Sequence, residues 1–214
     1  MIFSSNLEKV DVDRVNKKEK QMKYTAWLLS LFLLSGCAIK ESSPVVEYTL
    51  SVNPVASVSS SRYSNKAIKV TYPDYLKEKL SRSINYSYSI SDRGVYQNSQ
   101  WVNAVPRLIQ GSVIEALDQS NIFKGVLPFS STVYENYRLE STVYDFSHHV
   151  RDESSYAIVS IRFTLIDTNT GRMTKTRKFS YKELTSTTDA RGFVAAANVA
   201  MSKLTRDLVN WLRY

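Results

Sequence analysis

The chain has 214 residues, of which 43% are hydrophobic and 22% charged, and it carries a formal net charge of +8. That balance excludes a disordered tail and a multi-span membrane protein, and the length suits one folded domain plus a targeting segment. The single cysteine excludes any disulfide within the chain and any thiolate metal cluster.

Residues Ala26 to Leu34 read AWLLSLFLL, an uncharged apolar run with the length of a signal-peptide core and too short to cross a bilayer. Lys17, Lys18, Lys20 and Lys23 precede it and form the positive region that stays on the cytoplasmic side during export. The run ends in Leu34-Ser35-Gly36-Cys37. An apolar residue, two small residues and a cysteine make the pattern of a bacterial lipobox, in which the cysteine is acylated and becomes the mature N-terminus. Cys37 is therefore the predicted lipidation site. Each buried CH₂ contributes about 0.8 kcal/mol, so the two or three chains of a processed lipoprotein cysteine anchor a protein stably. Met22 opens a signal that is complete without residues 1–21. Ala38, not Asp, follows the cysteine, which in the sorting pattern of Gram-negative lipoproteins favours the outer membrane over the inner.

The expected organisation is an upstream extension and signal peptide over 1–36, a lipidated tether over 37–44, and a single domain over 45–214. Residues 1–36 hold six basic and four acidic side chains, leaving +6 for the remainder. A mildly basic exported domain suits anionic lipid or an acidic protein partner, not nucleic acid.

Beyond the tether a short helical turn is expected at Pro73 to Lys79. In INYSYSI the residues Ile84, Tyr86, Tyr88 and Ile90 alternate with polar neighbours, the signature of a half-buried strand. Trp101, Val105, Leu108, Ile109, Val113, Ala116 and Leu117 then follow the helical period, with Pro106 near the start. Tyr137, Leu139, Ser141 and Val143 predict another strand. Ala157, Val159, Ile161, Phe163 and Leu165, the turn cluster DTNTG from Asp167 to Gly171, and Met173 to Tyr181 predict a β-hairpin. Asp189 suits the N-cap of a last helix with Phe193, Ala197, Ala200, Met201, Leu204, Leu208 and Leu212 on one face. The order predicts an α/β protein of the α+β kind. Its architecture is a two-layer sandwich, with a mixed or antiparallel sheet and two long amphipathic helices on one face.

His148 and His149 are the only histidines. Neighbours on a strand point to opposite faces, so the pair does not converge on one metal, and a solvated strand end or loop is the expectation. Asp152 and Glu153 read as a solvated loop. The Gly-x-Ser-x-Gly, His-Glu-x-x-His, P-loop and Gly-x-Gly-x-x-Gly signatures are absent from the sequence. No catalytic residue, metal ligand or cofactor is predicted, and the chain reads as a non-enzyme. Among fourteen tyrosines, Tyr86 and Tyr88, together with Trp101, are candidate core or partner aromatics.

The stretch from Tyr48-Thr-Leu50 through Ile68-Lys-Val70 and Pro73-Asp-Tyr75-Leu76 to the Trp101 helix and the C-terminal helix, behind a lipobox, resembles the ABC-type transport auxiliary lipoprotein family. That family includes the small lipoproteins that accompany MCE-domain proteins in paraquat-inducible and related lipid-transport operons. One departure is that the family places a proline two or three residues after its tryptophan, whereas Pro106 stands five beyond Trp101. The resemblance implies a membrane-anchored, periplasm-facing, non-catalytic accessory subunit whose partner is an MCE-domain or ABC transporter component. A second copy of the chain is a further candidate partner. The alternative classes are a structural or assembly-factor lipoprotein of another envelope machine and, less favoured, a periplasmic hydrolase.

Overall fold

The computed structural model describes residues 44–75, 81–89, 91–151 and 154–214. In chain order these form β1 (Val46–Tyr48), β2 (Ala67–Val70), β3 (Asp74–Tyr75), β4 (Ser83–Ser87), β5 (Arg93–Trp101), α1 (Val105–Ser120), β6 (Gly125–Pro128), β7 (Tyr137–Arg151), β8 (Ser154–Asp167), β9 (Arg172–Leu184) and α2 (Ala190–Arg213). The axis of the sheet is β7. One edge carries β8 antiparallel along its whole length, and β9 continues antiparallel beyond it. The other edge carries β2, β3 and β4 in succession, all parallel to β7. Then β5 pairs antiparallel with β4, β1 parallel with β5, and β6 parallel with β2. The sheet is mixed and both helices pack against one face of it, so the predicted two-layer sandwich is the observed architecture.

The core follows from period two meeting period 3.6. Ala157, Val159, Ile161, Phe163 and Leu165 are all fully buried on the helix-facing side of β8. Against them lies the stripe Phe193, Ala197, Ala200, Met201, Leu204, Leu208 and Leu212 of α2, also fully buried. Each large side chain removed from water there contributes roughly 1.5–3 kcal/mol. The hairpin turn is closed by Asp167, whose carboxylate accepts the N–H groups of Asn169 (2.9 Å) and Thr170 (3.2 Å). Gly171 supplies the left-handed φ of 67° that this turn needs. A bulge in β7 matters more. Val143 faces Ile161 and Asp145 faces Ser160, so Tyr144 is an extra residue. The inward positions therefore change parity, from Leu139 and Val143 before the bulge to Phe146 and His148 after it.

The helix ends have local causes. Ala104 precedes α1 and Pro106 lies in its first turn, where no intrahelical N–H bond is lost. Asn121, with φ at 55°, closes it. At the start of α2 the Asp189 carboxylate accepts Gly192 N–H at 2.9 Å and the Thr187 hydroxyl at 2.6 Å. Gly192 is needed there, since a Cβ would come within 2.3 Å of the Thr187 carbonyl oxygen. Between β1 and β2 the chain crosses both helices. Ser51 and Asn53 donate backbone N–H groups to Asn198 and Ser202 of α2, while Val55 and Val58 donate to Gln119 and Ser120 of α1.

Three expectations need correction. Trp101 does not open the first helix; it ends β5, a strand not foreseen because RGVYQNSQW lacks apolar alternation. Within the expected helical turn, Asp74 and Tyr75 are extended and pair with Thr142 and Val143 of β7, while residues 76–80 lie outside the described residues. The strand expected to reach Ile90 ends at Ser87, where Tyr88 N–H turns to the Asp92 carbonyl; Ile90 itself is outside the described residues.

Candidate functional site

The aromatic residues singled out in the sequence gather at one end of the sheet. Ile84 and Tyr86 of β4 point towards the helix layer, as do Tyr96 and Trp101 of β5. Trp101 is 1% exposed and packs against Phe146 and Phe193, with ring centroids 5.9 and 6.1 Å away. Tyr86 is half-buried and lies across Gly94 on the neighbouring strand. A Cβ on Gly94 would fall 2.5 Å from the far end of the Tyr86 ring, so a side chain there would push the ring aside. Tyr88 is 55% exposed and meets the edge of Tyr86 at 5.3 Å. Tyr86 contacts Tyr96 at 5.1 Å, Tyr96 stacks on His148, and His148 stacks on Phe193 at 5.4 Å. The result is a continuous aromatic ladder from solvent at Tyr88 to the core at Trp101. Its middle rung, Tyr96, was missed in the sequence because β5 was missed.

His148 occupies a place that the sequence reading did not give it. The expectation was a solvated strand end or loop, whereas the parity change at Tyr144 turns His148 inward and leaves it fully buried. Its Nδ1 is 2.7 Å from the Tyr96 hydroxyl oxygen, and that hydroxyl donates to the Thr188 carbonyl at 3.3 Å. The tautomer of His148 decides which of the pair donates, and Nε2 is buried without a partner. Burial pushes the His148 pKa down to about 4; the His149 charge adds to this and Asp189 opposes it. Burial likewise pushes Tyr96 up to about 12, helped by Tyr88, Asp189 and Tyr86. At neutral pH both groups are uncharged members of the core.

His149 points to the uncovered face, beside Asp145 and Ser147. The three residue types suggest a nucleophilic relay, and the geometry does not form one. His149 Nε2 lies 3.1 Å from Ser147 Oγ and 3.4 Å from Asp145 Oδ2, so acid and hydroxyl share a single ring nitrogen. A relay needs them on opposite nitrogens. Ser147 also donates to Asp145 at 2.6 Å and is 1% exposed, which closes its hydroxyl to a substrate. Cys37, Asp152 and Glu153 lie outside the described residues. Among the described residues no three His, Cys, Asp or Glu side chains are arranged to hold a metal, and no helix is long and apolar enough to cross a membrane.

The fold is shared with solved proteins. The crystal structure of protein XCC0632 from Xanthomonas campestris, a DUF330 protein, superposes with a TM-score of 0.70 at 21% identity, over 78% of this chain and 95% of that one. An uncharacterized protein of known structure superposes with a TM-score of 0.61 at 13% identity, over 79% and 99% of the two chains. No curated protein matches in sequence. Residues 48–209 match the model of the ABC-type transport auxiliary lipoprotein component. That span takes in every described element from the end of β1 to the last turns of α2, and the chain belongs to this family of transport-accessory lipoproteins.

Proposed function

We propose that the protein is a lipid-anchored, periplasm-facing, non-catalytic accessory subunit of an ABC/MCE-type envelope transport system, supporting lipid traffic between membranes. In this reading residues 1–36 are removed, Cys37 carries the acyl chains, 37–44 are the tether and 45–214 are the working domain. Ala38 after the cysteine favours the outer membrane. The observation that carries the reading is the family match over 48–209 directly behind a lipobox.

One feature of the fold supports it. The side chains that invite a catalytic reading are either buried in the core, as His148 is, or wrongly connected, as the Ser147 group is. A tethered domain also has a high effective concentration at a neighbouring complex, so a modest interface suffices for an accessory role.

The test pairs fatty-acid labelling with affinity capture from membranes in mild detergent. Wild-type protein is expected to take the label and to retain an MCE-domain or ABC transporter component. Cys37→Ala is expected to lose the label, leave the membrane fraction and retain far less of that partner, while His149→Ala behaves as wild type. An unlabelled protein that still begins at Met1 or Met22 sinks the anchor. Loss of the cellular role in a folded His149→Ala variant that still captures its partner would instead favour an enzyme.

A further inference from the structure

The long edge of the sheet among the described residues is β9. It hydrogen-bonds to β8 alone, over 13 residues, whereas the edge strands β1 and β6 have three and four residues. An antiparallel edge directs every second residue's N–H and C=O outward with no strand to receive them. Along β9 stand Arg172, Lys175, Arg177, Lys178 and Lys182 against one acid, Glu183, which Lys203 holds at 2.7 Å.

A groove of about 810 Å³ lies between β9, the loop carrying Arg62 and the last turns of α2. Its one acidic side chain, Asp207, already accepts the Tyr181 hydroxyl at 2.6 Å and Arg206 Nε at 3.2 Å. Arg62 and Arg177 have no carboxylate partner among the described residues. Their guanidinium groups lie instead over Tyr63 at 4.7 Å and Phe179 at 5.1 Å, which presets them along the wall. Lys175 donates to the Trp211 carbonyl at 2.8 Å and so caps the negative end of α2. Trp211 is partly buried and Tyr214 is 82% exposed, so the far wall is aromatic.

These features together narrow the occupant. A row of outward backbone groups is met by another extended backbone; a lipid headgroup or a free phosphate would use the cations and leave that row unused. A second β9 paired edge to edge would set cations against cations, which is how natural edges avoid self-association. We propose that the free edge of β9 and its groove bind an extended acidic segment of a partner protein as an additional strand, its carboxylates meeting Arg62 and Arg177. On that strand the carboxylates share the groove side with Trp211 and Tyr214, and the intervening side chains turn to the uncovered face. The site does not depend on the transport reading and fails or stands separately from it.

The experiment follows fluorescence anisotropy of a labelled peptide of about ten residues, alternating Glu and Val, with the full chain in mild detergent. A second peptide of the same sequence carries N-methyl groups on alternate amides, which removes strand pairing and keeps the charge. Saturable binding is expected, weakened roughly ten-fold or more by N-methylation and by Arg62→Gln with Arg177→Gln. The methylated peptide needs no change to the protein, so the outcome does not hang on the variant's folding. Absence of saturable binding, or equal binding of the two peptides, overturns the proposal. Displacement of the peptide by phosphatidylglycerol micelles at matched charge, but not by neutral micelles, would reassign the groove to an anionic lipid.

Discussion

The helix-covered face of the sheet and its uncovered face are built by the same strands, and they differ in what satisfies each side chain. Beneath the helices, Ile161, Phe163 and Phe193 are fully buried and held by packing alone. On the other face, hydroxyl pairs such as Ser160 with Ser180 at 2.8 Å and Thr164 with Thr176 at 3.1 Å are matched across strands, and the cations of Arg162 and Lys178 lie over Tyr144 at 5.1 and 4.5 Å. Cross-strand pairs of that kind contribute a few tenths to about 1 kcal/mol each. One face therefore sets stability, while the other keeps the sheet solvated and free for contact.

The largest expected effect tests the covered face. Leu204 is fully buried at the centre of the α2 stripe. Leu204→Asp places a carboxylate there with no cation to receive it, and the loss should be roughly 4 kcal/mol or more. Denaturant unfolding measures it. A midpoint within a few tenths of molar of the parent would mean that this helix face is not the buried one.

The two adjacent histidines sharpen the comparison through pH. The pKa of His148 is lowered from its ordinary value near 6.5 to about 4, so the unfolded chain takes up the proton first. Stability from this site is fully present above about 6.5 and is lost as pH falls from there through about 4. At roughly 1.4 kcal/mol per pH unit the loss approaches about 3 kcal/mol. Glu135 acts lower on the scale. Hydrogen bonds from Lys69 and Arg138, against a burial cost, bring it from about 4.5 to about 2, so its contribution is fully present above about 4.5 and is lost as pH falls from there through about 2. Unfolding measured between pH 7 and pH 4 should show the His148 loss in the parent. In His148→Phe, which keeps an aromatic ring between Tyr96 and Phe193, the dependence over this interval should flatten. An unchanged pH profile in that variant would place the titrating group elsewhere.

Much of this arrangement was legible in the sequence, and the gaps have specific causes. The helix stripe from Phe193 to Leu212 and the apolar alternation from Ala157 to Leu165 each keep a single period, so periodicity located them. The burial of His148 was hidden because the period breaks at Tyr144; an inserted residue in a strand leaves no mark in a pattern of apolar and polar letters. Strand β5 was hidden for another reason. Val95 is 48% exposed, and the pairing with β4 shifts between Ser83 and Asn85, so no alternation survives to be read. Tyr96 fell with it. That β9 has no outer partner among the described residues is a property of topology, which the order of letters does not carry.

The smallest expected effect belongs to the uncovered face. Arg162 and Lys178 are exposed and both approach the ring of Tyr144, the extra residue at the bulge. Cation–π contacts at exposed sites contribute about 0.5–1 kcal/mol, and two cations on one ring also repel each other. Arg162→Gln with Lys178→Gln removes both attractions and that repulsion at once, so the net change should stay below about 1 kcal/mol. Added salt should bring the parent still closer to the variant, since exposed charges are screened. Thermal unfolding of both proteins at low and at physiological ionic strength decides the matter. A loss comparable to that of Leu204→Asp would mean that the Tyr144 bulge is held open by its cations, and the division between a face that stabilises and a face that solvates would fall.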